Sequence, residues 1–131
     1  MMENSAAATG MIEKPHKRLV AWQRSMELVI LIYDLTKSFP KEETYGLTSQ
    51  LRRAAVSVPS NISEGAAGRS SEQFRNFLAI AIGSLNEIDT QLEIALRVGY
   101  LEPDSCDNAQ RLVDECLAIT YGLRKSIGSA S

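Results

Sequence analysis

Residues that carry chemistry are scarce in this sequence. There is one histidine, His16, and there are two cysteines, Cys106 and Cys116. With a single imidazole and no Cys-x-x-Cys pair, a zinc site lacks its ligands. If both cysteines lie on one helix, their separation in sequence puts them about 15 Å apart. A disulfide needs Cα atoms closer than about 7 Å, so the two read as small core residues. There is no Gly-rich phosphate loop behind a strand and no Ser-His-Asp arrangement. The Glu-x-x-His pairs that hold di-iron in helical bundles are missing as well. Glu87, Asp89 and Glu93 are close in sequence and read as a solvated acidic face. No catalytic residue, cofactor or metal is expected, and the chain does not read as an enzyme.

Long apolar runs are missing too. The longest, Leu28-Val29-Ile30-Leu31-Ile32, is far shorter than the roughly 18 to 20 residues that span a bilayer. Met1 to Gly10 is small and polar, without the apolar core of a signal peptide. The expectation is a cytoplasmic protein with no membrane partner. Nor is there an excess of one charge. The formal net charge is −2, which argues against a generic polyanion binder. Its distribution is uneven: Lys14 to Arg69 holds nine basic and five acidic residues, Glu72 to Glu115 nine acidic and three basic. A basic first half and an acidic second half suit head-to-tail self-association or one basic face.

What is present is helical periodicity. At 131 residues and 44% hydrophobic, the chain has the size and content of one domain with one core. The pattern predicts a disordered tail over 1–13, a four-helix bundle over 14–127 and a tail over 128–131. The first helix is expected from Val20 to Ser38, with Trp22, Met26, Val29, Tyr33 and Thr36 as its stripe, widened by Leu28, Ile32 and Leu35. Pro40 stops it. Thr48 is the expected N-cap of the second helix, whose stripe is Leu51, Ala54, Ala55, Val58 and Ile62. That stripe keeps phase across Pro59, which predicts one kinked helix; the alternative is a break capped by Asn61 and Glu64. Gly65 or Gly68 can take a left-handed cap. Ser70 or Ser71 then opens a third helix to about Val98, with the heptad seam Leu78, Ala81, Leu85, Ile88, Leu92 and Ala95. Pro103 opens a fourth. Its seam is Cys106, Ala109, Val113, Cys116, Thr120, Leu123 and Ile127. Two sustained heptads joined by short turns predict an all-α, up-down-up-down four-helix bundle.

One stretch stands apart from this scheme. From Gln50 to Gly65, opposite the apolar stripe, Arg53, Ser57, Ser60 or Asn61, and Glu64 recur at helical spacing. Such a polar stripe is either wet or a hydrogen-bonded helix or subunit contact, with Arg53, Ser57, Asn61 and Glu64 as its residues.

The pieces Leu19-Val20-Ala21-Trp22-Gln23, Phe39-Pro40, Tyr45-Gly46-Leu47, the run from Gln50 to Gly65, Gly68-Arg69, and Ile80-Ala81-Ile82-Gly83-Ser84-Leu85 with Glu87 resemble one family. It is the four-helix bundle family of 23S rRNA intervening-sequence proteins, and the resemblance covers residues 14 to 101. It implies the same fold and a ring-like homo-oligomer, a homopentamer. The family takes its name from reading frames within inserts in bacterial 23S rRNA genes. A distant, strongly basic relative assists retroelement reverse transcriptases, and this chain departs from it in charge. Two functional expectations follow. The first is a non-enzymatic oligomer binding RNA, or an RNA-associated protein, through a basic surface drawn from Lys14, Lys17, Arg18, Arg24, Arg52 and Arg69. The second is an oligomeric protein-interaction scaffold with no nucleic-acid role. Clustering of those basic residues on one ring face favours the first; dispersion, or pairing with Glu87, Asp89 and Glu93 of a neighbour, favours the second.

Overall fold

The computed structural model describes residues 14–128; the tail expected at 1–13 and all but the first residue of the tail expected at 128–131 lie outside the described residues, and Gly128 itself belongs to the last helix. Four helices follow in order: α1 (Val20–Thr36), α2 (Leu47–Gly65), α3 (Ser71–Arg97) and α4 (Pro103–Gly128). Two short 3-10 turns, Pro15–Arg18 and Lys41–Glu43, precede α1 and α2. There is no strand among the described residues. Among the described residues no helix is long and apolar enough to cross a membrane.

Each helix packs on its neighbours in sequence and α1 returns to α4, while the backbones of the diagonal pairs stay apart. Side-chain partners fix the directions. Gln91 donates to Gln50 and Ser57 meets Ser84, so α2 and α3 run antiparallel. Cys106 lies against Leu92 O and Arg124 reaches Arg75 O, so α3 and α4 do as well.

Local chemistry explains the helix ends. Ser70 accepts from Gln73 N while the Gln73 side chain accepts from Ser70 N, a closed capping box that starts α3. Pro103 occupies the first turn of α4, where its missing N–H costs nothing. Gly68 has φ +80°, the left-handed turn a Cβ would resist. Gly65 instead stays helical as the last residue of α2. α2 runs unbroken through the buried Pro59, so Asn61 and Glu64 sit inside it rather than capping a second helix. Its start differs from expectation. Gly46 is the N-cap, and the Glu43 carboxylate takes the Leu47 N–H at 2.8 Å; Thr48 is already in the first turn. A carboxylate one turn back does what the Thr48 hydroxyl was expected to do.

The core is one cluster. All five stripe positions of α2 and all six seam positions of α3 are buried. In α4, Cys106, Ala109, Val113, Cys116 and Thr120 are buried, with Leu123 and Ile127 half-buried against the same core. In α1 the phase is shifted. The buried line is Ala21, Ser25, Leu28, Ile32 and Thr36, while Met26 and Tyr33 are exposed and Trp22 and Val29 half-buried. The small and hydroxyl residues face inward because their polar groups close on the helix itself. Ser25 Oγ donates to Trp22 O at 2.8 Å and Thr36 Oγ1 to Ile32 O at 2.7 Å.

Candidate nucleic-acid interface

The polar stripe of α2 divides in the structure. Ser57 Oγ and Ser84 Oγ of α3 are 2.8 Å apart, and Asn61 Nδ2 donates to Ser57 O at 2.8 Å and to Ser57 Oγ at 3.0 Å. These residues stitch α2 to α3. Arg53 and Glu64 take other partners. Arg53 donates to Ser49 Oγ at 3.4 Å, and Glu64 takes Arg69 at 2.7 Å. Beside the Ser57–Ser84 pair lies a shallow groove bounded by Gln50, Arg53 and Glu87.

The six candidate cations also separate. Arg24 bridges Glu27 on its own helix and Glu115 of α4, and those two carboxylates raise its pKa. Arg69 is held by Glu64 and lies 5.0 Å over the Phe77 ring. Lys17 and Arg18 belong to the 3-10 turn before α1, which docks on α1 and α2, and Lys14 immediately precedes it. Arg52 lies at the opposite end of the bundle, near the C-terminus of α1. Its Nε donates to Thr36 Oγ1 at 2.8 Å and its guanidinium stands 4.6 Å from the Tyr33 ring centre.

Around Arg52 the structure gathers cations that the sequence reading left out. The end of α1, the 37–46 connection and the start of α2 enclose a concave surface of about 730 Å³. Lys37, Lys41, Arg52 and Arg53 line it, no carboxylate does, and Tyr33, Phe39 and Tyr45 supply rings. Among the described residues none of these four cations forms an ion pair, in contrast to Arg24, Arg69, Arg97 and Arg111. Glu43, in the connection to α2, is engaged by Leu47 N and the Tyr100 hydroxyl. Those two donors hold its pKa below the ordinary value, the Leu47 N–H first. The signal in the sequence was the interleaving of Lys37, Phe39, Lys41 and Tyr45 just ahead of Arg52-Arg53, basic and aromatic residues alternating in a turn.

Glu93 is held by Arg97 and Gln110. Burial first, then Asp114 and Glu93, pushes the Asp89 carboxyl up. Both cysteines are buried and free, and burial pushes the Cys116 thiol up to about 11. A thiol at that value is a weak nucleophile at neutral pH. Among the described residues no group of His, Cys, Asp and Glu is arranged to hold a metal ion.

Comparison with known proteins places this fold. A crystal structure of a protein of unknown function from the S23 ribosomal protein family of Bacteroides thetaiotaomicron is similar, with TM-score 0.75 and 25% identity. The match covers 81% of this chain and 96% of that one. Comparison with curated proteins gives no match. The family model of the 23S rRNA-intervening sequence proteins matches residues 17–122, most of the bundle. The chain therefore belongs to the 23S rRNA-intervening sequence protein family.

Proposed function

We propose that this protein is a non-catalytic, self-associating cytoplasmic bundle that holds RNA on a cationic, aromatic-bearing surface. The observation that supports it is the sorting of charge. In a chain of net charge −2, four cations without carboxylate partners share one concavity with exposed tyrosines. Arginine and lysine meet phosphates, and aromatic rings meet bases. The family name, tied to ribosomal RNA, points the same way.

Self-association is the second part of the reading. Ile30, Ile80 and Ile94 stay exposed on helices whose seams are otherwise filled, and an assembly would cover them. A homopentamer, which the family resemblance implies, would also repeat the cationic concavity, so modest single-site affinity would rise by avidity. A second reading, a protein-interaction scaffold, is favoured by the neutralisation of Arg24 and Arg69 within the chain. A filter-binding titration of structured RNA with the intact protein separates the two. Binding at low salt that weakens toward physiological salt supports the first. No binding at low salt leaves the scaffold.

A further inference from the structure

The concavity between α1 and α2 holds more than charge. Arg52 is fixed before any ligand arrives. Its Nε is bound to Thr36 Oγ1, one terminal nitrogen lies 3.5 Å from Tyr33 O, and its plane sits over the Tyr33 ring. Lys37, Lys41 and Arg53 stand around that shelf with donors to spare. Tyr45 also lines it and is 95% exposed, on the short link between the Lys41–Glu43 turn and α2. Its ring takes no part in the core, so both faces are open. The volume of about 730 Å³ falls within the roughly 300–1,000 Å³ typical of small-ligand sites.

Resting on the RNA reading above, we infer that this concavity is a nucleotide pocket. It takes one unpaired nucleotide, the base stacked on Tyr45 and the phosphate held by Lys41 and Arg53. Base-paired RNA cannot enter in this way, because the faces of its bases are already covered by their neighbours. The ligand is therefore a single strand, a loop or a free nucleotide, and these share one chemistry: a phosphate within reach of an open base. Arg52 supplies the floor rather than the grip, since part of its donor set is already used.

The test uses the full-length protein and exposed side chains, whose replacement leaves the core intact. A labelled single-stranded RNA, the same sequence as a duplex and an abasic strand of equal length are titrated by fluorescence anisotropy. A ribonucleoside monophosphate and inorganic phosphate are titrated by calorimetry. Wild-type protein should bind the single strand more tightly than the duplex or the abasic strand. Tyr45→Ala should weaken single-strand binding by about fivefold to a hundredfold, the usual loss for one stacked base. The salt slope should not change, because no charge is lost, and Tyr45→Phe should restore binding. If RNA binds but Tyr45→Ala and the abasic strand behave as wild type with the normal strand, the pocket is overturned and the RNA reading survives. If no strand binds but the monophosphate does, more tightly than inorganic phosphate and in a Tyr45-dependent way, the RNA reading falls and the pocket stands with a free nucleotide as ligand. Binding of neither overturns both.

Discussion

Ser57 Oγ and Ser84 Oγ lie 2.8 Å apart, one on α2 and one on α3. The contact forms because both side chains are small enough to let the helices close and polar enough to need each other once dry. Asn61 Nδ2 also donates to the Ser57 hydroxyl oxygen, at 3.0 Å. Two turns further along α2 the approach is closer still: a Cβ on Gly65 would stand 2.9 Å from Phe77 Cβ and 2.8 Å from Phe74 Cδ1.

Gly65→Ala should therefore destabilise the bundle. Alanine is about 1 kcal/mol better than glycine inside a helix, which pulls the other way. Phe77 Cβ is tied to the α3 backbone and cannot swing aside, so overpacking of about 1–3 kcal/mol should outweigh that gain. Thermal melting followed by circular dichroism should show a lower Tm. An unchanged or higher Tm would mean the helices separate at no cost.

Thr120→Val should stabilise. Thr120 is fully buried in the α4 seam, and its hydroxyl oxygen has no partner among the described atoms. Valine keeps the shape and removes the polar group, a gain of about 1 kcal/mol. Urea unfolding should show a higher midpoint at the same slope; a lower one would reveal a hydrogen bond to the hydroxyl.

The acid side of the stability profile should carry a contribution from Glu43. Its folded pKa is depressed below the ordinary 4.5 by Leu47 N–H and then by the Tyr100 hydroxyl. A depressed carboxyl stabilises the fold above its unfolded pKa and loses that effect as pH falls through the folded value. Glu43→Gln should thus be less stable than wild type near neutral pH, and the gap should shrink below about pH 4.5. A gap that stays constant with pH would assign the effect to shape rather than charge.

Assembly should depend on the outer face of α3. Ile80 and Ile94 are 52% and 45% exposed and recur two heptads apart. The double variant Ile80→Glu, Ile94→Glu should keep its helical signal yet scatter light as a smaller species at about tens of micromolar. A monomeric wild type would remove the assembly claim outright.

The sequence made most of this fold readable, unevenly. In α2, α3 and α4 the apolar residues are spaced so that only one face can turn inward, and the buried positions follow that spacing. In α1 the run Leu28 to Ile32 is apolar all round, so spacing left the phase open. The large residues Trp22, Met26 and Tyr33 drew the expected stripe, yet Ala21, Ser25 and Thr36 lie inward. The cationic pocket was only partly visible. Arg52 stood among the candidates. Lys37, Lys41, Arg53 and Tyr45 join it only because the chain folds back between α1 and α2. Which arginines would be neutralised was hidden for the same reason: Arg24 meets Glu115 from far along the chain.

The salt dependence of RNA binding tests the central claim most directly. Each lost phosphate contact lowers the slope of log affinity against log salt by about 0.7 on single strands. The pocket variant Lys41→Gln, Arg53→Gln should bind more weakly with a slope flatter by about 1.4. The variant Lys14→Gln, Lys17→Gln, at the other end of the bundle, should keep the wild-type slope. Equal slopes for wild type and the pocket variant, or flattening by the distal variant alone, would contradict the account.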